Sequence, residues 1–143
     1  MATQLKIKRL HPGVMLPKFA HATDAGIDLY LPEDLSLAPN EQQTVALGIA
    51  VELPSNTVGL LWEKSSRGAQ GLQTFGGVID EGYRGEVKAI LKNTTAEMLS
   101  YAAGTPIVQL LVQPILRPDI QEITEVSETT RGTGGFGSTH PTL

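Results

Sequence analysis

Close to its C-terminus the chain reads Arg131-Gly132-Thr133-Gly134-Gly135-Phe136-Gly137-Ser138-Thr139-His140. A guanidinium, an aromatic ring and hydroxyls on glycine-rich backbone make a cover for something flat and anionic, a description that fits a nucleotide. Gly132, Gly134 and Gly137 also have the spacing of a dinucleotide-binding turn, but that turn needs a strand before it and a helix N-terminus after it to hold phosphate. Six residues follow Gly137, too few for a useful helix. The expectation is therefore a flexible arm and not a Rossmann turn.

A second segment, Gly77-Val78-Ile79-Asp80-Glu81-Gly82-Tyr83-Arg84-Gly85-Glu86, offers a carboxylate and a phenol among turn residues. An apolar strand ends at Asp80, Gly82 and Gly85 supply turn geometry, and alternation resumes at Glu86. This predicts a β-hairpin with Asp80 and Tyr83 at its mouth. Centred near Glu81, such a hairpin sets Thr74 roughly opposite Lys88 and leaves a slot whose backbone N–H and C=O groups can read a pyrimidine edge. Asp80 then has two readings, a general base towards water or an ordinary turn aspartate. Asp28 follows Ala25 and Gly26, small residues that allow close backbone approach. Alternating with Ile27 and Leu29, it faces away from both and by itself reads as a solvated side chain. Lys64-Ser65-Ser66-Arg67-Gly68 places cations and hydroxyls at a predicted helix start, where free N–H groups welcome phosphate.

Other chemistries are excluded by residue type. The chain has no cysteine, so thiol nucleophiles, disulfides and Cys-based zinc sites are absent. His11, His21 and His140 are far apart, without the spacing of a zinc ligand set, and neither GxSxG nor GxxxxGK[ST] occurs. Phosphate chemistry here must run without a P-loop. A Mg2+ ion held mainly by the substrate's own phosphates, touched through water by a carboxylate, suits the residues present.

The elements that must position these groups read as all-β. Fifteen glycines and nine prolines cut the sequence into short alternating, β-branched pieces. Candidate strands cover residues 4–10, 26–31, 43–53, 57–62, 72–79, 85–93, 98–102 and 106–116. Within 43–53, Val45, Leu47, Ile49, Val51 and Leu53 share one face at period two. The one plausible helix is a turn or two over residues 65–70, with Ser65 as N-cap. Turn signals at short, regular intervals favour a sandwich or jelly roll. At 143 residues the chain reads as one domain, 1–143, with 117–143 as a C-terminal segment and glycine-rich arm. A formal net charge of -4, with both signs interspersed, argues against direct binding of polymeric nucleic acid. No apolar run approaches the ~18 residues of a membrane span and no signal peptide is legible, so the expectation is a soluble, cytoplasmic protein with no membrane partner. Asn93-Thr94-Thr95 is a formal glycosylation sequon that reads as coincidence.

Taken in order, five segments resemble the trimeric deoxyuridine triphosphate nucleotidohydrolases, the dUTPases. They are Ala25-Gly26-Ile27-Asp28-Leu29, Lys64-Ser65-Ser66, Gly77 through Glu86, Gly104-Thr105-Pro106-Ile107-Val108-Gln109-Leu110, and Arg131 through Ser138. The resemblance implies a jelly-roll-like β-barrel subunit in a homotrimer, with active sites between subunits and a flexible C-terminal arm. It implies hydrolysis of dUTP to dUMP and pyrophosphate with Mg2+, an activity that limits uracil incorporation into DNA and supplies dUMP. Carried over, Asp80 would orient and deprotonate the attacking water, and Tyr83 would pack on deoxyribose and exclude a 2′-hydroxyl. Backbone at Val78, Ile79 and Lys88 would pair with uracil. Asp28 would hold waters of the Mg2+ shell, and Ser65, Ser66 and Gln109 would contact phosphates. Phe136 would stack on uracil, while Arg131, Gly137 and Ser138 would clamp the triphosphate.

Two positions depart from the family pattern. Lys64 stands where arginine is usual, keeping the charge but not the bidentate fork, with Arg67 as a nearby substitute. Thr74 stands where many members have asparagine, so uracil recognition would rest more on backbone. Two rival readings are a dCTP deaminase of the same superfamily and a non-catalytic, nucleotide-gated regulator. The first lacks any additional motif for attack at an exocyclic amine; the second is disfavoured by the retained Asp80 and Arg131.

Overall fold

Alternating sequence broken by glycine and proline folds into short antiparallel strands over residues 4–135, the part of the chain that the computed structural model describes. In chain order the elements are β1 (Lys6–Arg9), β2 (Ile27–Tyr30), β3 (Leu35–Leu37), β4 (Gln42–Glu52), β5 (Thr57–Glu63), α1 (Ser65–Gly68), β6 (Leu72–Phe75), β7 (Val78–Ile79), β8 (Glu86–Asn93), β9 (Leu99–Tyr101) and β10 (Pro106–Pro114). They build two four-stranded sheets, β1-β4-β8-β6 and β2-β10-β5-β7, with β3 and β9 as a separate ribbon. This is the expected all-β, jelly-roll-like subunit. Among the described residues no helix is long and apolar enough to cross a membrane.

The core lies between the sheets. Leu47, Ile49 and Val51 of β4 meet Leu72 and Leu91 of the same sheet and Leu29, Leu61, Val108 and Leu110 of the other. Each such side chain contributes about 1.5–3 kcal/mol by leaving water. At one end, fully buried Asn93 closes the strand-to-ribbon junction. Its Nδ2 donates to Leu37 O at 3.0 Å, Ala38 O at 3.1 Å and Glu97 O at 2.7 Å, while its Oδ1 accepts from the Thr95 amide at 2.9 Å and hydroxyl at 2.8 Å. The same burial leaves the formal sequon with no accessible acceptor.

Three expectations need correction. The strand predicted over 72–79 is two strands, because Gly76 and Gly77 take φ of 68° and 93°, which a ladder residue does not adopt. The three-residue β3 is additional; Leu35-Ser36-Leu37 is too short to stand out by alternation. The helix is capped at Lys64 rather than Ser65, in extended conformation and with no side-chain cap bond.

Candidate active site

The two glycines also make the slot. After β6 the chain leaves the first sheet, crosses at Gly76-Gly77 and joins the second beside β5, with Ile79 opposite Gly59 and Val78 opposite Leu60. Close approach requires glycine here: a Cβ on Gly77 would lie 2.9 Å from the Leu61 carbonyl oxygen, and Leu61 donates its amide to Gly77 O at 2.8 Å. β8 then returns in the first sheet, where β6 covers it only from Ile90 to Asn93. Val78 and Ile79 on one side, and Val87 and Lys88 on the other, therefore flank a cavity of about 180 Å³ also lined by Leu61, Asp80, Tyr83 and Glu86. The strands flanking Asp80 thus belong to different sheets, so the expected hairpin is not a paired ladder. Thr74 pairs with Leu91, not Lys88. Its amide donates to Glu63 Oε1 at 2.7 Å, its hydroxyl is buried without a hydrogen-bond partner, and it lines an adjoining hollow rather than the slot itself.

At the mouth, Asp80 is exposed and its carbonyl accepts the Tyr83 amide at 3.0 Å, closing a tight turn. The Tyr83 ring lies over Gly85, where a Cβ would fall 2.5 Å from its Cζ and 2.9 Å from its Cε2, and its hydroxyl donates to Glu86 O at 3.0 Å. Glu86 in turn accepts the Gly48 amide at 2.9 Å, tying the slot to the irregularity in β4.

A second cluster forms where β2, β10 and the end of β5 meet. Asp28 lies opposite Gln109 in the ladder, and Gln109 opposite Trp62. Gly26 leaves room for the Gln109 side chain, whose Cδ would be 2.9 Å from a Cβ there, and Gln109 Nε2 donates to Glu63 O at 2.8 Å. Asp28 is buried and ion-paired with Lys64, so it is not the solvated side chain that alternation suggests. Its amide also donates to Lys18 O at 2.9 Å, covering the outer edge of β2. Burial, helped by the Asp28 charge, pushes the Tyr30 phenol up. Ser65 and Ser66 are exposed beside Lys64. The Arg67 guanidinium lies 5.0 Å from the Tyr101 ring centroid, and its Nε donates to Pro106 O at 3.3 Å.

The two clusters lie at opposite edges of one sheet, Asp28 on β2 and Asp80 just beyond β7. From the Asp28 row to the Asp80 row is four residues along β5 and three strand spacings across, roughly 20 Å along the sheet. Groups acting on one phosphate need hydrogen-bond reach. Arg131 joins neither cluster; its Nε donates locally to Gly134 O at 2.9 Å. Phe136, Gly137 and Ser138 lie outside the described residues.

The dUTPase family model matches residues 13–140. The chain belongs to the dUTPase family. It is 40% identical over 139 residues to the deoxyuridine 5'-triphosphate nucleotidohydrolase of Gloeothece citriformis, covering 95% of this chain and 96% of that protein. To that of Mycolicibacterium gilvum it is 42% identical over 147 residues, covering 96% of each. Among solved structures, a dUTPase mutant of Staphylococcus bacteriophage 80alpha with dUpNHpp superimposes with a TM-score of 0.91 at 27% identity, covering 96% of this chain and 99% of that one. A phage phi11 dUTPase mutant, in which a structural Mg(II) ion is coordinated, matches with a TM-score of 0.79 at 26% identity, covering 85% of this chain and 97% of that one.

Within this dUTPase the donor set fits a hydrated Mg2+. Asp28 supplies a single carboxylate, held by the Lys64 ammonium, and among the described residues no cluster of three His, Cys, Asp or Glu could cage an ion. One carboxylate supports an ion that keeps its waters and takes its other ligands from phosphates. Several residues of this dUTPase escaped the sequence reading. Glu63, which supports both Thr74 and Gln109, and Glu86, which braces the slot, act through partners distant in sequence. Gly85, expected as a turn glycine, has no positive φ; what it provides is room for the Tyr83 ring.

Proposed function

We propose that this dUTPase hydrolyses dUTP to dUMP and pyrophosphate. Asp80 orients a water and takes its proton as the water oxygen bonds to the α-phosphorus; the bond from that phosphorus to the bridging oxygen breaks, and pyrophosphate leaves with the electron pair. Backbone of Val78, Ile79 and Lys88 takes the uracil edge, with Thr74 supporting the neighbouring strand. Tyr83 stacks on deoxyribose and fills the space of a 2′-hydroxyl. Lys64, Ser65, Ser66 and Gln109 hold phosphate oxygens, and Arg131 adds a guanidinium where charge develops. Phe136, Gly137 and Ser138 complete the cover. When bound, Mg2+ would neutralise phosphate charge, with Asp28 holding its waters.

The observation that carries the reading is the splayed pair β7 and β8, which leaves unpaired backbone edges beside a carboxylate and a phenol. The roughly 20 Å between the Asp80 and Asp28 rows supports sites assembled between copies, the slot from one and the phosphate groups from another. Exposed Val78 at the slot, Trp62 and Phe75 elsewhere on β5 and β6, and Leu116, Ile120 and Val126 on the departing tail supply apolar surface for such assembly into a homotrimer. The test is Asp80→Asn, assayed by pyrophosphate release and by calorimetric binding of a non-hydrolysable dUTP analogue. Binding is expected within a few-fold of the unmodified enzyme, with turnover down by about 10²–10⁴-fold. Near-normal turnover would remove Asp80 as the base.

A further inference from the structure

The tail leaves the body at a point that nothing in the catalytic reading explains. β10 ends at Pro114, and the next amide, Ile115, donates to Asn56 O at 3.0 Å. Asn56 occupies the left-handed region, φ 59°, in the turn between β4 and β5. Its amide donates to Glu81 Oε2 at 3.0 Å, and Arg117 bridges the same pair, giving NH1 to Asn56 Oδ1 at 3.0 Å and NH2 to Glu81 Oε2 at 2.7 Å. Glu81 is the neighbour of Asp80, and its own carbonyl is held by Arg84 at 2.7 Å. Among the described residues after Arg117, hydrogen bonds are local to the tail, and Ile120 and Val126 project into solvent.

We propose that Arg117, gripped by Glu81 and Asn56, is a positioning residue that aims the C-terminal arm from the turn bearing Asp80. The inference rests on the proposed catalytic role of Arg131. The hydrogen bond from Arg117, with a second from the Asn56 amide, holds the Glu81 carboxyl below the usual carboxylate range, so the grip persists at neutral pH. Stability is not an adequate account of it. An ion pair with side chains 52% and 31% exposed adds little to folding. Placement of the root is the larger effect. From Arg117 to Arg131 is fourteen residues, a reach of up to ~46 Å, so the point and direction in which the arm leaves the body decide which surfaces its guanidinium can meet. Misplacement of a catalytic group by about 1 Å already costs up to 10²-fold.

The experiment is a double-mutant cycle in the full chain between Arg117→Gln and Arg131→Gln, reading kcat and KM for dUTP and thermal midpoint. Arg131→Gln is expected to lower kcat/KM by about 10²–10³-fold. Arg117→Gln is expected to lower it by about 10- to 100-fold with the midpoint nearly unchanged, and Arg117→Lys to recover part of the loss. In the double variant the Arg117 change should add less than about three-fold, because an arm without its guanidinium has nothing left to aim. Equal losses in both backgrounds would overturn the inference and make Arg117 a local brace of the Asp80 turn; no loss from Arg117→Gln would overturn it outright. Normal activity of Arg131→Gln alone would instead remove the arm from the reaction, and with it the reading beneath the inference.

Discussion

Gly85→Ala tests whether the Tyr83 ring is the wall that rejects ribose. The added Cβ would fall 2.5 Å from Cζ and 2.9 Å from Cε2 of the ring, well inside van der Waals contact, so one partner must shift by about 1 Å. Gly85 is not among the residues of positive φ, so alanine is tolerated by the backbone. Tyr83 is 45% exposed and its side chain is held by one hydrogen bond, to Glu86 O, so the ring gives way rather than the sheet. Loss of that bond costs about 0.5–1.5 kcal/mol, too little to unfold the subunit. Steric exclusion of a small group in a pocket amounts to about 1–3 kcal/mol, so preference for dUTP over UTP in kcat/KM should fall by roughly 10- to 100-fold. Parallel pyrophosphate-release kinetics with the two nucleotides, alongside thermal denaturation, measure this. Unaltered discrimination in a folded variant with normal dUTP turnover would refute the assignment of Tyr83 as the wall.

Two further outcomes concern the frame around the site. Asn93→Ala strands the Leu37, Ala38 and Glu97 carbonyls in or near the core and should cost about 3–5 kcal/mol, read as a lower denaturant midpoint with unchanged slope. Lys64→Met leaves the Asp28 carboxylate buried and unpaired, at a cost of about 2–4 kcal/mol, whereas adding Asp28→Asn should return most of it; a double variant no more stable than Lys64→Met would show that the pair is not what holds that corner.

What the sequence disclosed follows the range of the signal. β4 was legible because one buried face writes period-two alternation directly into the chain. Asp28 misled for a related reason: all four residues of β2 are buried, since the Lys18 segment covers the strand's edge and Lys64 covers the carboxylate, and neither neighbour is local. The turn at Asp80 was legible from its glycines, but the splaying of its flanking strands was not, because sheet membership is decided by β5 and β6. Gly76-Gly77 was the available hint, two adjacent residues able to leave a ladder together. Likewise Thr74 could be placed on a strand, but its opposite residue depends on register, and the displaced crossing shifts it to Leu91.

The bare stretch beside β7 has a consequence for how the subunit keeps company. Unsatisfied strand edges ordinarily recruit other polypeptides and seed aggregation, and proteins blunt them by keeping them short. β7 is two residues long, so the gap offers ~7 Å of backbone. That is too little to zip in an invading peptide and about the width of a single heterocycle. Brevity alone thus filters intruders from an edge left unpaired.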